Sequence, residues 1–306
     1  MNDTNKSKGY EKFSPATTAW MKSGNYLTVD GRQIFYTDRG KGPVILLIHG
    51  HPSSCNDWEG VCDRLESQAR LVAFDMIGWG LSDKPEAFSY SLFQQADMAE
   101  ALLKALDITE AHVASHDLGT SVHTELLARN LEGSLSFKLL SSLITDGSIL
   151  QWVSNEPPSQ NLAQSNDTLF LAMEEFNKGT PASYAEDFKN MTLGNLSDEA
   201  IQLKTELFCY QNQFRRLTAQ SNYMRERYIH SERWVGAMEK TSPLRIAWAK
   251  DDPVATVNIG RELAQRCPQA EYVEIGGIGH FPNAENPEFV AEQVALSAGL
   301  SYTAAK

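Results

Sequence analysis

The chain has 306 residues, 42% of them hydrophobic and 22% charged, which suits one α/β unit with an insertion and argues against disorder away from the ends. With 27 basic against 39 acidic residues, the net charge of −12 repels phosphate backbones and anionic lipid surfaces, so neither nucleic acid nor membrane is an expected partner. The first twenty residues lack the apolar run of a signal peptide and no stretch is long enough to span a bilayer, so the expected location is cytoplasmic.

In chain order, the polar first twenty residues are expected to be loosely ordered. Two short apolar runs follow, Val44–Ile48 (VILLI) and 71–74 (LVAF), as expected of strands buried on both faces of a parallel sheet. Residues 92–106 carry Leu92, Ala96, Met98, Leu102, Leu103 and Leu106 at spacings near 3.6 and predict a helix. Another strand is expected over 137–144 (FKLLSSLI). After Gly147 the character changes, with Trp152, prolines at 157 and 158, and polar, aromatic-rich helical stretches to about Trp234. Strand and helix signals then resume at 244–248 (LRIAW), 257–267, 270–275 and 287–299. The expected fold is therefore a mostly parallel central sheet flanked by helices. Its core comprises residues 1–147 and 239–306, and a helical insertion occupies 148–238.

Three strand ends carry the chemistry. In Val113-Ala114-Ser115-His116-Asp117-Leu118-Gly119, a buried strand reverses sharply into a helix, the geometry that presents one strained side chain to the cleft above a sheet. Residues two before and two after that side chain must be small. Ser115 and Gly119 satisfy this around Asp117, whereas Val113 and Asp117 would not around Ser115. The alternative is that Asp117 merely caps the helix. Downstream, Asp252 in Lys250-Asp251-Asp252-Pro253 and His280 in Gly279-His280-Phe281-Pro282 each follow a predicted strand, completing the order nucleophile, acid, base. Asp146, at the end of the 137–144 run, is an alternative acid. His49-Gly50-His51-Pro52 follows VILLI; the backbone amides of His51 and Leu118 are the expected oxyanion donors. The cysteines at 55, 62, 209 and 267 form no C-x-x-C pair and no zinc-type cluster, so they are read as structural thiols, and no metal or cofactor is expected.

Together these motifs, with Asp75-x-x-Gly78-x-Gly80-x-Ser82-Asp83-Lys84-Pro85, resemble the α/β-hydrolase superfamily, and within it the epoxide hydrolase and haloalkane dehalogenase branch. Arg233-Trp234-Val235-Gly236-Ala237 is similar to the mesoderm-specific transcript proteins of that branch. The resemblance implies a helical cap over 148–238 and a covalent ester between Asp117 and a small apolar organic substrate, hydrolysed by water. The chain departs from the haloalkane dehalogenase pattern: His51 stands where an asparagine would bind halide, and Leu118 where a tryptophan would. Leu118 and Ser121 stand where fluoroacetate dehalogenases place arginines. Tyr223 falls where epoxide hydrolases carry the second of two proton-donating cap tyrosines; Tyr184, Tyr210 and Tyr228 are available as the first. Epoxide hydrolysis is the leading expectation. The alternatives are carbon–halogen cleavage, with His51 or Trp152 holding the halide, and an esterase-like or non-catalytic ligand-binding homologue.

Overall fold

The computed structural model describes residues 13–155 and 158–302. Among them are eight strands: β1 (Asn25–Val29), β2 (Arg32–Gly40), β3 (Val44–Ile48), β4 (Arg70–Phe74), β5 (Glu110–His116), β6 (Lys138–Thr145), β7 (Leu244–Ala249) and β8 (Glu271–Ile275). They form one sheet in the order β1-β2-β4-β3-β5-β6-β7-β8, antiparallel from β1 through β4 and parallel from there to β8. The hairpin between β1 and β2 turns at Asp30 and Gly31, both at positive φ, as a tight turn compatible with strand twist requires. Every predicted strand is present to within a residue or two.

The continuous apolar run of β3 is explained by its central place. Leu46 and Ile48 pack with Val122 and Leu126 of helix Leu118–Glu132 and with helix Leu92–Ala105, while Ile45 and Leu47 pack on the opposite face with helices Glu59–Leu65 and Pro287–Ser297. Each strand of this kind puts alternate side chains into two cores, so it can carry no polar face.

Between β6 and β7 the described residues are helical or irregular and contain no strand. The last of these helices, Ser231–Lys240, lies on helix Leu118–Glu132: Trp234 Nε1 donates to Glu125 at 2.9 Å, and Arg233 pairs with Glu125 and Glu132.

The expectation of loose order over the first twenty residues is corrected from Ser14 onward, residues 1–12 lying outside the described chain. Helix Pro15–Ser23 is capped by the Ser14 side chain. The Ser14 amide and hydroxyl both donate to Glu206 at 2.9 Å, and Trp20 is buried beside Phe35. A polar stretch can be ordered when one large apolar residue and one long-range carboxylate hold it. No helix among the described residues is long and apolar enough to cross a membrane.

Candidate active site

The C-terminal ends of β3, β5, β6, β7 and β8 bring together, in turn, the His49–Pro52 loop, Asp117, Asp146, Asp252 and His280. At the end of β5 the chain turns through Asp117 at φ 48° and ψ −115°, a conformation a non-glycine residue holds only when its surroundings enforce it. Those surroundings are tight. A Cβ on Gly119 would stand 2.5 Å from the Ile48 and His49 carbonyl oxygens, and one on Gly50 would stand 2.5 Å from Asp117 Cβ. Asp117 occupies the N-cap position of helix Leu118–Glu132 yet makes no side-chain capping bond. Its Oδ1 instead accepts from the His51 amide at 2.6 Å, and its Oδ2 lies 3.5 Å from His280 Nε2.

His280 is held from its other side. Nδ1 donates to Asp252 Oδ2 at 2.8 Å, while Asp252 Oδ1 accepts from the Val254 and Ala255 amides at 2.7 and 3.0 Å. The His280 amide donates to the Met191 carbonyl at 2.8 Å, and His116 Nε2 donates to the His280 carbonyl at 2.6 Å. Burial works to lower the His280 pKa, but the Asp252 charge and hydrogen bonds to both aspartates outweigh it, leaving the imidazole well above its ordinary value. For Asp117, burial pulls upward and is outweighed by His280, with Arg227 adding to the effect, so the carboxyl titrates below its usual range.

Asp146 is arranged differently. Oδ1 accepts from the Ala249 amide at 2.9 Å and Oδ2 from the Thr145 hydroxyl, so its bonds lie within the sheet end and not with the histidine. Burial, reinforced by the nearby Asp252 charge, pushes its pKa well above the ordinary value. A carboxyl biased towards its protonated form is a weaker partner for an imidazolium than an ionised one.

Around the nucleophile turn, His49 Nδ1 donates to the Gly50 carbonyl and its Nε2 accepts from the Met76 amide, so its side chain braces the loop. His51 Nδ1 accepts from Trp79 Nε1 at 3.1 Å, which places the ring proton on Nε2; burial brings its pKa down to about 4, and the ring is neutral near pH 7. Leu118, fully buried, opens the helix that follows Asp117. Tyr223 is buried with its ring 5.9 Å from that of His51 and its hydroxyl donating to Gln160 at 3.3 Å. A cavity of about 340 Å³ opens beside His51 and Val254, walled by Phe176, Tyr184, Phe188, Met191, Phe208 and Leu217. Tyr184 thus lies in the cavity wall. Tyr210 stacks instead on Lys84, Tyr228 is 78% exposed, and Trp152 is 59% exposed against Arg266, away from Asp117.

Sequence reasoning missed Arg227. Its guanidinium is buried, Nε donates to Ser121 Oγ at 2.7 Å one turn beyond Asp117, and it lies 4.6 Å from the Tyr223 ring centroid. Its charge depresses the pKa of both Asp117 and His51. The available signal was its position four residues after Tyr223 on helix Asn222–Ile229, a spacing that shares one helix face. Glu285 was missed as well; it accepts from the Gly279 and Phe281 amides at 2.8 and 2.9 Å and so shapes the histidine loop. All four thiols are buried, and burial pushes their pKa values up, to about 12 for Cys62 and Cys209 and about 11 for Cys267. Among the described residues no group of three or more His, Cys, Asp and Glu side chains is placed to hold a metal ion.

Comparison with known proteins agrees with this geometry at the level of fold. The model of the alpha/beta hydrolase fold family matches residues 43–287. LipZ of Mycobacterium tuberculosis is 36% identical over 286 residues, covering 93% of this chain and 98% of its own length. The mesoderm-specific transcript homolog protein of Bos taurus is 29% identical over 302 residues, 90% of this chain and 86% of that protein. Among solved structures, the haloalkane dehalogenase DbeA from Bradyrhizobium elkani superposes with a TM-score of 0.74 at 20% identity, over 90% of this chain and 98% of that one, a likeness of fold alone.

Proposed function

The chain is a hydrolase of the alpha/beta hydrolase fold family, and on that premise we propose that it opens epoxides to diols through a covalent ester on Asp117. The observation that carries this reading is the disposition of the Asp117 carboxylate: Oδ1 on the His51 amide, Oδ2 facing a histidine that is itself held by Asp252. A carboxylate so placed attacks strained or activated carbon and leaves an ester.

In the first step Oδ2 forms a bond to one epoxide carbon, the ring C–O bond breaks, and the emerging oxygen takes a proton from a cap donor, for which Tyr223 is the candidate. Arg227, behind the Tyr223 ring, favours the negative charge that develops there. In the second step water attacks Cγ and His280 takes one of its protons; the adduct then collapses, the Cγ–Oδ2 bond breaks, the departing diol oxygen takes the other proton, and the proton held by His280 returns to the cap donor, leaving Asp117 a carboxylate. The carbonyl oxygen, Oδ1, becomes the oxyanion and rests on the His51 amide, with Leu118 as the second donor; one such donor is worth roughly 2.7–4 kcal/mol. Ester formation itself prepares this step. It removes the Asp117 charge and hydrogen bond that help to raise the His280 pKa, so the imidazole becomes a competent base when the ester is there to be hydrolysed.

In this reading the insertion over 148–238 acts as the cap on a core of 1–147 and 239–306. The substrate is a small apolar molecule, admitted by the aromatic cavity wall. No cofactor is needed, since water and the three side chains balance the reaction. Carbon–halogen cleavage is the second reading. It is disfavoured because the Trp79 indole is engaged by His51, Leu118 has no N–H on its side chain, and Trp152 lies away from Asp117. Purified protein offered epoxides, haloalkanes, haloacids and simple esters should hydrolyse epoxides best. Tyr223→Phe should slow epoxide opening far more than any chloroalkane reaction, and equal losses would remove the role given to Tyr223.

A further inference from the structure

The mechanism leaves one buried ion pair unused. Lys204, from helix Asp198–Cys209 of the insertion, meets Asp57, in the short helical turn Cys55–Trp58 that follows the His49–Pro52 loop; their side chains are 5% and 0% exposed. Lys204 Nζ also lies 4.6 Å from the ring centroid of Phe281, the residue after His280. The second Asp57 oxygen accepts from the Ser53 hydroxyl, which stands 3.2 Å from the Gly50 carbonyl. The residue after Gly50 is His51, whose amide holds Asp117 Oδ1. Lys204, Asp57 and the Ser53 hydroxyl therefore tie an insertion helix to the loop that carries the oxyanion donor.

For stability alone such a pair is a poor solution. Two charges are withdrawn from water, and well-packed apolar side chains of similar volume usually serve as well or better. What the pair supplies is direction: Asp57 accepts from Lys204 on one oxygen and from Ser53 on the other, so the carboxylate cannot swing without losing a bond. We propose that Lys204 and Asp57 are positioning residues that fix the loop carrying the His51 amide, and that they act on hydrolysis of the Asp117 ester, not on its formation. This inference rests on the ester reading above. The asymmetry follows from charge. Ester formation discharges the carboxylate and asks less of the His51 amide, whereas hydrolysis builds negative charge on Oδ1 and depends on that amide being in place.

The test uses Lys204→Met/Asp57→Leu, which replaces the pair by apolar groups, and Ser53→Ala, which leaves the pair intact and removes only its link to the loop. Two readouts are taken on the full chain: amide hydrogen exchange across residues 49–58, which needs no substrate, and single-turnover rates of ester formation and hydrolysis. The double variant should fold, exchange at least about 10-fold faster across the loop, and hydrolyse the ester about 10- to 100-fold more slowly while forming it within about 2-fold of the unaltered rate. Ser53→Ala should shift both readouts in the same direction by a smaller factor. Unchanged loop exchange in both variants, or equal slowing of the two chemical steps, would overturn the proposal. If His280→Gln in the otherwise unaltered protein traps no ester, the covalent reading itself falls, and loop exchange still decides whether the pair holds the loop.

Discussion

Replacing His280 with glutamine separates the two half-reactions. His280 Nε2 stands 3.5 Å from Asp117 Oδ2 and Nδ1 donates to Asp252 at 2.8 Å. A glutamine can still donate to Asp252 but has no site able to accept a proton from water. Loss of a general base costs about 10²- to 10⁴-fold, or ~2.7 to 5.4 kcal/mol of barrier at 1.36 kcal/mol per decade. That cost falls on ester hydrolysis. Ester formation needs an ionised Asp117 and the cap donor but no proton transfer to His280, and although the variant loses the largest influence lowering the Asp117 pKa, Arg227 still opposes the effect of burial. The alkyl-enzyme should therefore accumulate. Mixing the variant with substrate, quenching in acid and measuring the intact mass reads the outcome directly. An epoxide adds its whole mass, whereas a chloroalkane adds its mass less that of HCl, so one measurement reports both the intermediate and the leaving group. Digestion should place the increment on the peptide containing Asp117. A substrate turned over by the unaltered protein that leaves no increment on the variant, or leaves it elsewhere, would refute the mechanism.

Four further outcomes are expected. Asp252→Asn should lower kcat by roughly 10³- to 10⁴-fold, as loss of a histidine-orienting carboxylate does in triads. Asp146→Asn should stay near the unaltered rate because Asp146 bonds the Ala249 amide and the Thr145 hydroxyl and not His280; comparable losses in steady-state assays would show that both acids serve the histidine. Because the folded pKa of His280 is raised, its contribution to stability is fully present below about 6.5 and is lost as pH rises through the folded value. The difference in melting temperature between the protein and His280→Gln should accordingly be largest below about pH 6.5 and shrink as pH rises through the folded value, and growth with pH would contradict the sign. Finally, Gly119→Ala would place a methyl 2.5 Å from two carbonyl oxygens and should cost about 1–3 kcal/mol in urea unfolding; an unshifted midpoint would mean that the turn is looser than the geometry implies.

How much was legible in the sequence depended on whether the signal was local. The Val44–Ile48 run reads as a central strand because both its faces are buried, and a strand so placed has no room for polar alternation. The β1–β2 hairpin went unread although Asp30-Gly31 is a strong turn signal, since Asn25–Val29 is mostly exposed and carries no apolar run. Helix Pro15–Ser23 was hidden among polar residues because its order comes from Glu206, nearly two hundred positions away. Arg227 looked like one more charge on a polar helix until the fold brought it to Ser121.

By itself, the sequence determined the strand-end arrangement that frames the site: an aspartate between small neighbours, then an acid, then a histidine, each after an apolar run. Small residues at 115 and 119 are a local steric requirement of the turn, and strand ends are local punctuation. Tertiary structure alone decided that His280 meets Asp252 while Asp146 bonds the end of β7, that Asp117 turns away from its helix to the His51 amide, and that Arg227 and Lys204, from helices between β6 and β7, meet Ser121 and Asp57. Those choices join residues from 28 to 147 positions apart, and which ones meet is set by how helices and strand ends dock, information that no residue spacing along the chain contains.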